Sequence, residues 1–151
     1  MPFPPLAFPP VTVPIRADGQ EVFDPVRRAW VRCTPEEWVR QHLIRFLAEH
    51  RGYPLALMAV ERAYPYHGQM RRADLVAFGH GARPLLIAEC KAPSVALGQD
   101  AVEQVARYNA SVGAALWLVT NGLRHVVGRA GARPELLPDV PPRHVLDVDG
   151  F

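Results

Sequence analysis

The sequence predicts an α/β fold: a mixed β-sheet core flanked by α-helices, with a β-hairpin at the N-terminal end. Three observations carry this. Within the expected strands 71–78 and 85–91, residues 75–78 and 85–88 are apolar at successive positions. Both faces of such strands need cover, as in a sheet lying between helices. Residues 34–50 and 100–112 show helical spacing of apolar side chains with start and stop signals. The order along the chain reads β-hairpin, α, β, β, β, α, β, β, in which helices interrupt the strands.

Val11 to Phe23 holds alternating runs around the turn Ala17-Asp18-Gly19-Gln20, a small hairpin, and Val26 to Val31 adds a short strand. Arg27, Arg28 and Arg32 cluster here, as phosphate contacts or as a solvated face. Thr34-Pro35-Glu36-Glu37 starts the first helix: Thr34 caps, Pro35 suits the first turn and Glu37 closes a capping box. The helix runs to about His50, with Gly52 beyond it and Val39, Leu43, Phe46 and Leu47 as its buried stripe. Leu55 to Tyr64 reads as a strand, and Tyr64-Pro65-Tyr66-His67-Gly68-Gln69 as a turn whose aromatics can stack on bases. Strands over 71–78 and 85–91 flank a Gly/Pro turn, and a helix over 100–112 follows. Ala114 to Thr120 is a strand, Asn121-Gly122 a turn and Leu123 to Gly128 a returning strand. Beyond Ala130 the chain is rich in Gly and Pro, with an edge strand expected over Val145 to Val148.

The 151 residues suit one domain with a real core. The expected division is a Pro-rich arm over 1–14, the domain over 15–130 and a Pro/Gly-rich tail over 131–151. A net charge of +2 is compatible with nucleic acid without pointing to it. Cys33 and Cys90 are the only cysteines, with no CxxC spacing, so neither a disulfide framework nor a zinc site is expected. The first ten residues lack the basic start and unbroken apolar run of a signal peptide. No segment approaches the ~20 apolar residues of a membrane span. The expectation is a cytoplasmic protein with no membrane partner.

Chemistry concentrates at Leu85-Leu86-Ile87-Ala88-Glu89-Cys90-Lys91. Lys91 is the only lysine among 17 cationic side chains; all the others are arginine. Ammonium is a compact point charge, whereas guanidinium is a permanently charged fork. A four-residue loop over His80 to Arg83 sets Gly79 opposite Pro84 and, counting back, Asp74 opposite Glu89. Like charges facing each other across a strand pair are destabilising, so two carboxylates placed that way call for a cation. Alternation puts Lys91 on the face of Glu89, and a hard divalent ion such as Mg²⁺ suits the oxygens.

Asp74 followed by Glu89-Cys90-Lys91 resembles the metal-binding core of the PD-(D/E)xK nuclease superfamily. Gln104-Val105-Ala106-Arg107-Tyr108 fits the QxxxY helix of some of its branches. From Thr34-Pro35-Glu36-Glu37-Trp38-Val39-Arg40-Gln41-His42 to Thr120-Asn121-Gly122-Leu123 the chain is similar to the N-terminal nuclease domain of type I restriction enzyme R subunits, in a small stand-alone form. The similarity spans residues 15 to 128. Ala73 departs from the proline of the superfamily's name.

The resemblance implies a restriction-endonuclease-like core and Mg²⁺-dependent DNA hydrolysis, with Mn²⁺ able to substitute. Asp74, Glu89, Lys91 and Gln104 are then catalytic, and Asp74, Glu89 and the Cys90 carbonyl hold the metal. Tyr108, Arg71, Arg72 and Arg40 meet the substrate; Glu37, Gln41 and Glu61 are further candidates. Partners would be DNA, a separate restriction or helicase subunit, or a second copy of the chain. With Lys91 the only lysine, these residues contain no GxxxxGK[ST] phosphate loop and hence no motor. The alternative is a catalytically weak or inactive nucleic-acid-binding or assembly module of the same fold.

Overall fold

A computed structural model describes residues 3–131 and 134–147. The first sheet is antiparallel, with β1 (Ile15–Arg16), β2 (Glu21–Asp24) and β3 (Ala29–Arg32) in that order. The expected hairpin and short strand are both present. Asp24 is buried, and its Oδ1 accepts from the amides of Val26 and Arg27, which shapes the turn between β2 and β3.

Helix α1 (Pro35–His50) begins where its cap predicts: Thr34 Oγ1 accepts from the Glu37 amide at 3.1 Å. Only this half of the capping box forms. The Thr34 amide donates to the Arg32 carbonyl, and the Glu37 carboxylate turns to arginines instead. Gly52 takes a left-handed φ of 77° beyond the helix end, and the Tyr53 amide returns to Leu47 O. A left-handed residue there is what glycine tolerates best.

The second sheet holds β4 (Met58–Tyr66), β5 (Gln69–Phe78), β6 (Pro84–Cys90), β7 (Leu116–Thr120), β8 (His125–Arg129) and β9 (Glu135–Leu137), side by side in that order. Only β6 and β7 pair in parallel, and helix α2 (Gln99–Val112) lies on the crossover between them. Leu75, Ala77, Leu86 and Leu116 pack with Val39, Leu43 and Leu47 of α1. Val76, Ile87, Trp117 and Val119 pack with Val105 and Tyr108 of α2. The central strands are thus covered on both faces, as their unbroken apolar character requires.

Four expectations are corrected. A 3-10 turn, Leu55–Leu57, occupies the start of the expected strand, and β4 then runs through Tyr66. The segment Tyr64 to Gln69, read as a turn, is mostly strand, and only its tip, His67-Gly68, turns, with φ of 50° and 75°. Pro65 fits because β4 is an edge strand and needs no donor on that side. A register shift at Ala77/Phe78 sets Phe78, not Gly79, opposite Pro84. Leu75↔Ala88, Val76↔Ile87 and Ala77↔Leu86 nevertheless keep the expected pairing.

The fourth correction concerns the end of the chain. Glu135–Leu137 adds the sixth strand, Val140 is buried, and Tyr53 Oη donates to Pro141 O. Arg143–Leu146 forms a short helix, α3, where an edge strand was expected; Val148 lies outside the described residues. The Pro141-Pro142 pair favours a turn into helix, and Asp147 closes it with Arg143 at 3.0 Å. The proline-rich segment near the start also packs: Ala7 N donates to Gly122 O, and Leu6 and Phe8 lie against the α1 core.

Candidate active site at the end of the central hairpin

The pairing of β5 with β6 brings Asp74 beside Glu89, one step beyond Leu75↔Ala88. The pairing of β4 with β5 brings Glu61 opposite Asp74, between Val60↔Leu75 and Arg62↔Ala73. Three carboxylates therefore lie in one row across three strands. The β4–β5 ladder breaks at Glu61, whose φ is 57°. A left-handed non-glycine residue costs about 1–3 kcal/mol, and such strain gathers at functional sites. The ribbon turns at this row: Leu75 belongs to the α1 core and Ala73 to the α2 core.

Asp74 Oδ2 accepts from the Cys90 amide at 2.7 Å, which fixes the carboxylate across the end of the hairpin. Its Oδ1 stands 3.9 Å from Arg40 Nη1, and its main-chain carbonyl accepts from the same nitrogen at 3.2 Å. Glu89 Oε1 stands 3.8 Å from Arg71 Nη2. Glu89 Oε2 is buried and has no hydrogen-bond partner among the described residues. An unpaired buried carboxylate oxygen is costly.

Electrostatics repeats the geometry. Burial raises the Asp74 pKa, and Glu61 adds to the rise, while the Cys90 amide, Arg40 and Lys91 offset it. Burial and the neighbouring Asp74 push Glu89 up to about 7, with Arg71, Lys91 and Arg40 pulling the other way. Three cations, Arg40, Arg71 and Lys91, act on the two carboxylates, yet burial still holds both above their ordinary values.

Lys91 follows directly on β6, and its amide donates to Thr120 O at 2.8 Å, so β7 sets its backbone. Its side chain makes no ion pair within 4 Å among the described residues. The loop after it is tied down by Asn121 Nδ2 to Val95 O and by Arg124 Nη1 to Leu97 O. Sequence reasoning read Asn121 only as a turn residue. Its side chain also accepts from the amides of Leu123 and Arg124, and nothing in the sequence signals the link to Val95.

Arg40 was expected at the DNA backbone. It is instead buried, donating to both oxygens of Glu37 and approaching Glu61 at 3.8 Å. Burial alone would raise the pKa of Glu37, but hydrogen bonds from Arg40, Gln41 and Arg27 hold it at about 2. Gln41 also accepts from Arg45. Glu37 and Gln41 are thus committed to arginines, and they reach the carboxylate row only through Arg40. Arg27, one of the clustered arginines near the start, is held by Asp24 and Glu37.

Arg71 lies with its guanidinium carbon 4.7 Å over the Tyr108 ring, and Tyr108 Oη donates to Arg71 O at 2.9 Å. Tyr108 therefore positions Arg71. Gln104, four residues earlier on α2, is exposed and makes no hydrogen bond among the described residues. Arg72 is exposed, 3.9 Å from Glu61. The structure brings together Asp74, Glu89, Cys90, Arg71, Tyr108 and, at the margin, Glu61. It leaves Gln104 and Arg72 facing solvent.

No group of three or more His, Cys, Asp or Glu at metal-holding spacing occurs among the described residues. The candidate donors are two carboxylates and the Cys90 carbonyl. They fit a hard cation: one oxygen is orphaned, both carboxyls resist ionising, and all donors are oxygen. Mg²⁺ keeps several waters and needs few protein ligands.

A mixed sheet with helices on its faces and an Asp…Glu-x-Lys set at the end of its central hairpin defines a restriction-enzyme nuclease-like domain. Residues 35–141 match the family described as the type I restriction enzyme R protein N terminus (HSDR_N), and the chain belongs to that family. Among solved structures it is similar to a fragment structure assigned as an HsdR subunit of a type I restriction enzyme from Vibrio vulnificus YJ016. The TM-score is 0.59 at 18% identity, covering 76% of this chain and 24% of that one. This chain thus spans about a quarter of that protein's length, and the likeness is one of fold. No curated protein matches.

Proposed function

We propose that this domain hydrolyses phosphodiester bonds of DNA, with Mg²⁺ (or Mn²⁺) held by Asp74, Glu89 and the Cys90 carbonyl. The observation that supports this most is Glu89 Oε2, buried without a partner beside Asp74. When bound, the metal supplies Lewis-acid polarisation of the phosphate and a lowered pKa for its water.

Asp74, fixed by the Cys90 amide through Oδ2, would have its other oxygen left to hold the cation. Lys91, on a backbone set by β7, donates hydrogen bonds to the attacking water or to a phosphate oxygen and offsets the charge developing there. Arg71, pre-organised on Tyr108, holds a neighbouring phosphate. The Gln104 side chain has no hydrogen-bond partner among the described residues and joins through the substrate. Arg40 secures Asp74 from the interior rather than touching DNA. DNA and other restriction-enzyme subunits are the partners of this reading, in the cytoplasm. No helix is long and apolar enough to cross a membrane among the described residues. Any motor acts from outside these 151 residues.

Plasmid and single-stranded DNA cleavage with Mg²⁺ or Mn²⁺ tests the proposal in wild type, Lys91→Ala and Asp74→Ala. Activity should fall at least ~100-fold in each variant while both stay folded. A folded wild type that cuts neither DNA with either metal, yet binds DNA, would leave a binding or assembly module.

A further inference from the structure

The chemistry proposed above makes no use of the Pro-rich arm, yet the arm is bonded to the turn after β7, the strand that sets the backbone of Lys91. Leu6 and Phe8 pack on the α1 core, and the Phe8 ring stands 5.6 Å from Phe46 and 4.5 Å from His125. Thr120 and His125 face each other across the β7–β8 pair.

Four hydrogen bonds close a ring around these two residues. The Ala7 amide donates to Gly122 O at 2.7 Å, and the Gly122 amide donates to Thr120 Oγ1 at 2.9 Å. Thr120 Oγ1 meets His125 Nδ1 at 2.7 Å, and His125 Nε2 meets Ala7 O at 2.7 Å. A carbonyl only accepts, so Nε2 carries a proton. In the neutral imidazole Nδ1 then accepts from the Thr120 hydroxyl. The four bonds run head to tail, and each polarises the next. Thr120 is fully buried, so a partner lost there leaves polar groups unpaired. The arm also approaches closely: a Cβ on Gly122 would press on the Leu6 side chain.

We infer that Thr120 and His125, closed by the arm at Ala7, are positioning residues for Lys91. The clamp is read from geometry alone; its value for catalysis rests on the nuclease reading. Thr120 O accepts from the Lys91 amide at 2.8 Å, whereas the Cys90 amide turns the other way, to Asp74 on β5. Lys91 thus depends on the last residue of β7, and strand ends fray first. The same turn holds the chain beyond Lys91 through Asn121 Nδ2 and Val95 O. The Lys91 side chain has no ion pair within 4 Å among the described residues to hold it otherwise. A backbone shift would therefore pass straight to its ammonium, and misplacement by about 1 Å can cost an active site ~100-fold.

Hydrogen exchange tests this without cleavage. Labelling with 15N-lysine gives one backbone signal, the Lys91 amide, because the chain has one lysine; 15N-cysteine reports Cys33 and Cys90. Thr120→Val removes the hydroxyl, His125→Phe keeps a ring against Phe8, and Ala7→Pro removes one donor in the exposed arm. Exchange of the Lys91 amide should speed at least ~5-fold in each, with Cys90 unchanged and Thr120→Ser close to wild type. In a wild type that cuts DNA, kcat should fall in the first three variants with KM held, and Thr120→Ser should retain it. An unchanged Lys91 rate in the folded variants, a Cys90 rate that rises equally, or full kcat despite faster Lys91 exchange would overturn the inference. The expected exchange pattern in a protein that never cuts would sink the nuclease reading alone.

Discussion

Glu89 and Glu37 answer pH in opposite directions. Glu89 rises from 4.5 to about 7 in the folded protein because of burial and Asp74. Between those values the folded chain keeps a proton that the unfolded chain has released, so stability falls as pH rises. Glu37 is held at about 2 despite its burial, by Arg40, Gln41 and Arg27. Its contribution is present above 4.5 and is lost as pH falls toward 2. Thermal melts in EDTA from pH 3 to 8 should show declining stability from about pH 4.5 to 7, flattened in Glu89→Gln. An identical decline in that variant would place the cause elsewhere. Arg40→Ala should destabilise by about 3–5 kcal/mol in urea titrations, because it strips the buried Glu37 of a main partner. A loss below about 1 kcal/mol would mean that Arg27 and Gln41 suffice alone.

At the scale of elements, the sheet is held in register by local fits. Trp117 pairs with Gly128, and its indole ring occupies the place where a Cβ on Gly128 would sit. Gly128→Ala should therefore cost about 1–3 kcal/mol by overpacking, read from denaturant midpoints. A neutral result would mean that the indole can shift without loss. The β5–β6 register was legible because both strands are apolar on both faces and the Gly/Pro turn bounds them. The shift at Phe78 was not legible, since a bulge leaves no compositional mark. The tight turn at His67-Gly68 was hidden by Pro65, which reads as loop unless the strand is known to be an edge. Short α3 was hidden for a similar reason: its sequence, Arg143-His144-Val145-Leu146, is β-branched and apolar enough to suit a strand.

At the scale of the molecule, the row of carboxylates is where the two cores meet. Asp74 and Glu89 could be placed from the sequence because the hairpin's pairing is local. The left-handed Glu61, the burial of Arg40 and the Asn121 tether depend on elements distant in the chain, and no local pattern announces them. The fold leaves negative charge collected and underpaired at one end of a buried hairpin, with the sole lysine beside it. The central claim is that this place takes up a divalent cation. The direct measurement is Mn²⁺ uptake by the folded domain without DNA, followed through the paramagnetic signal of the free ion, in wild type and Asp74→Asn. Wild type should bind, and Asp74→Asn should lose at least ~10-fold in affinity. Equal uptake by both proteins, or none by the wild type at millimolar metal, would contradict the account.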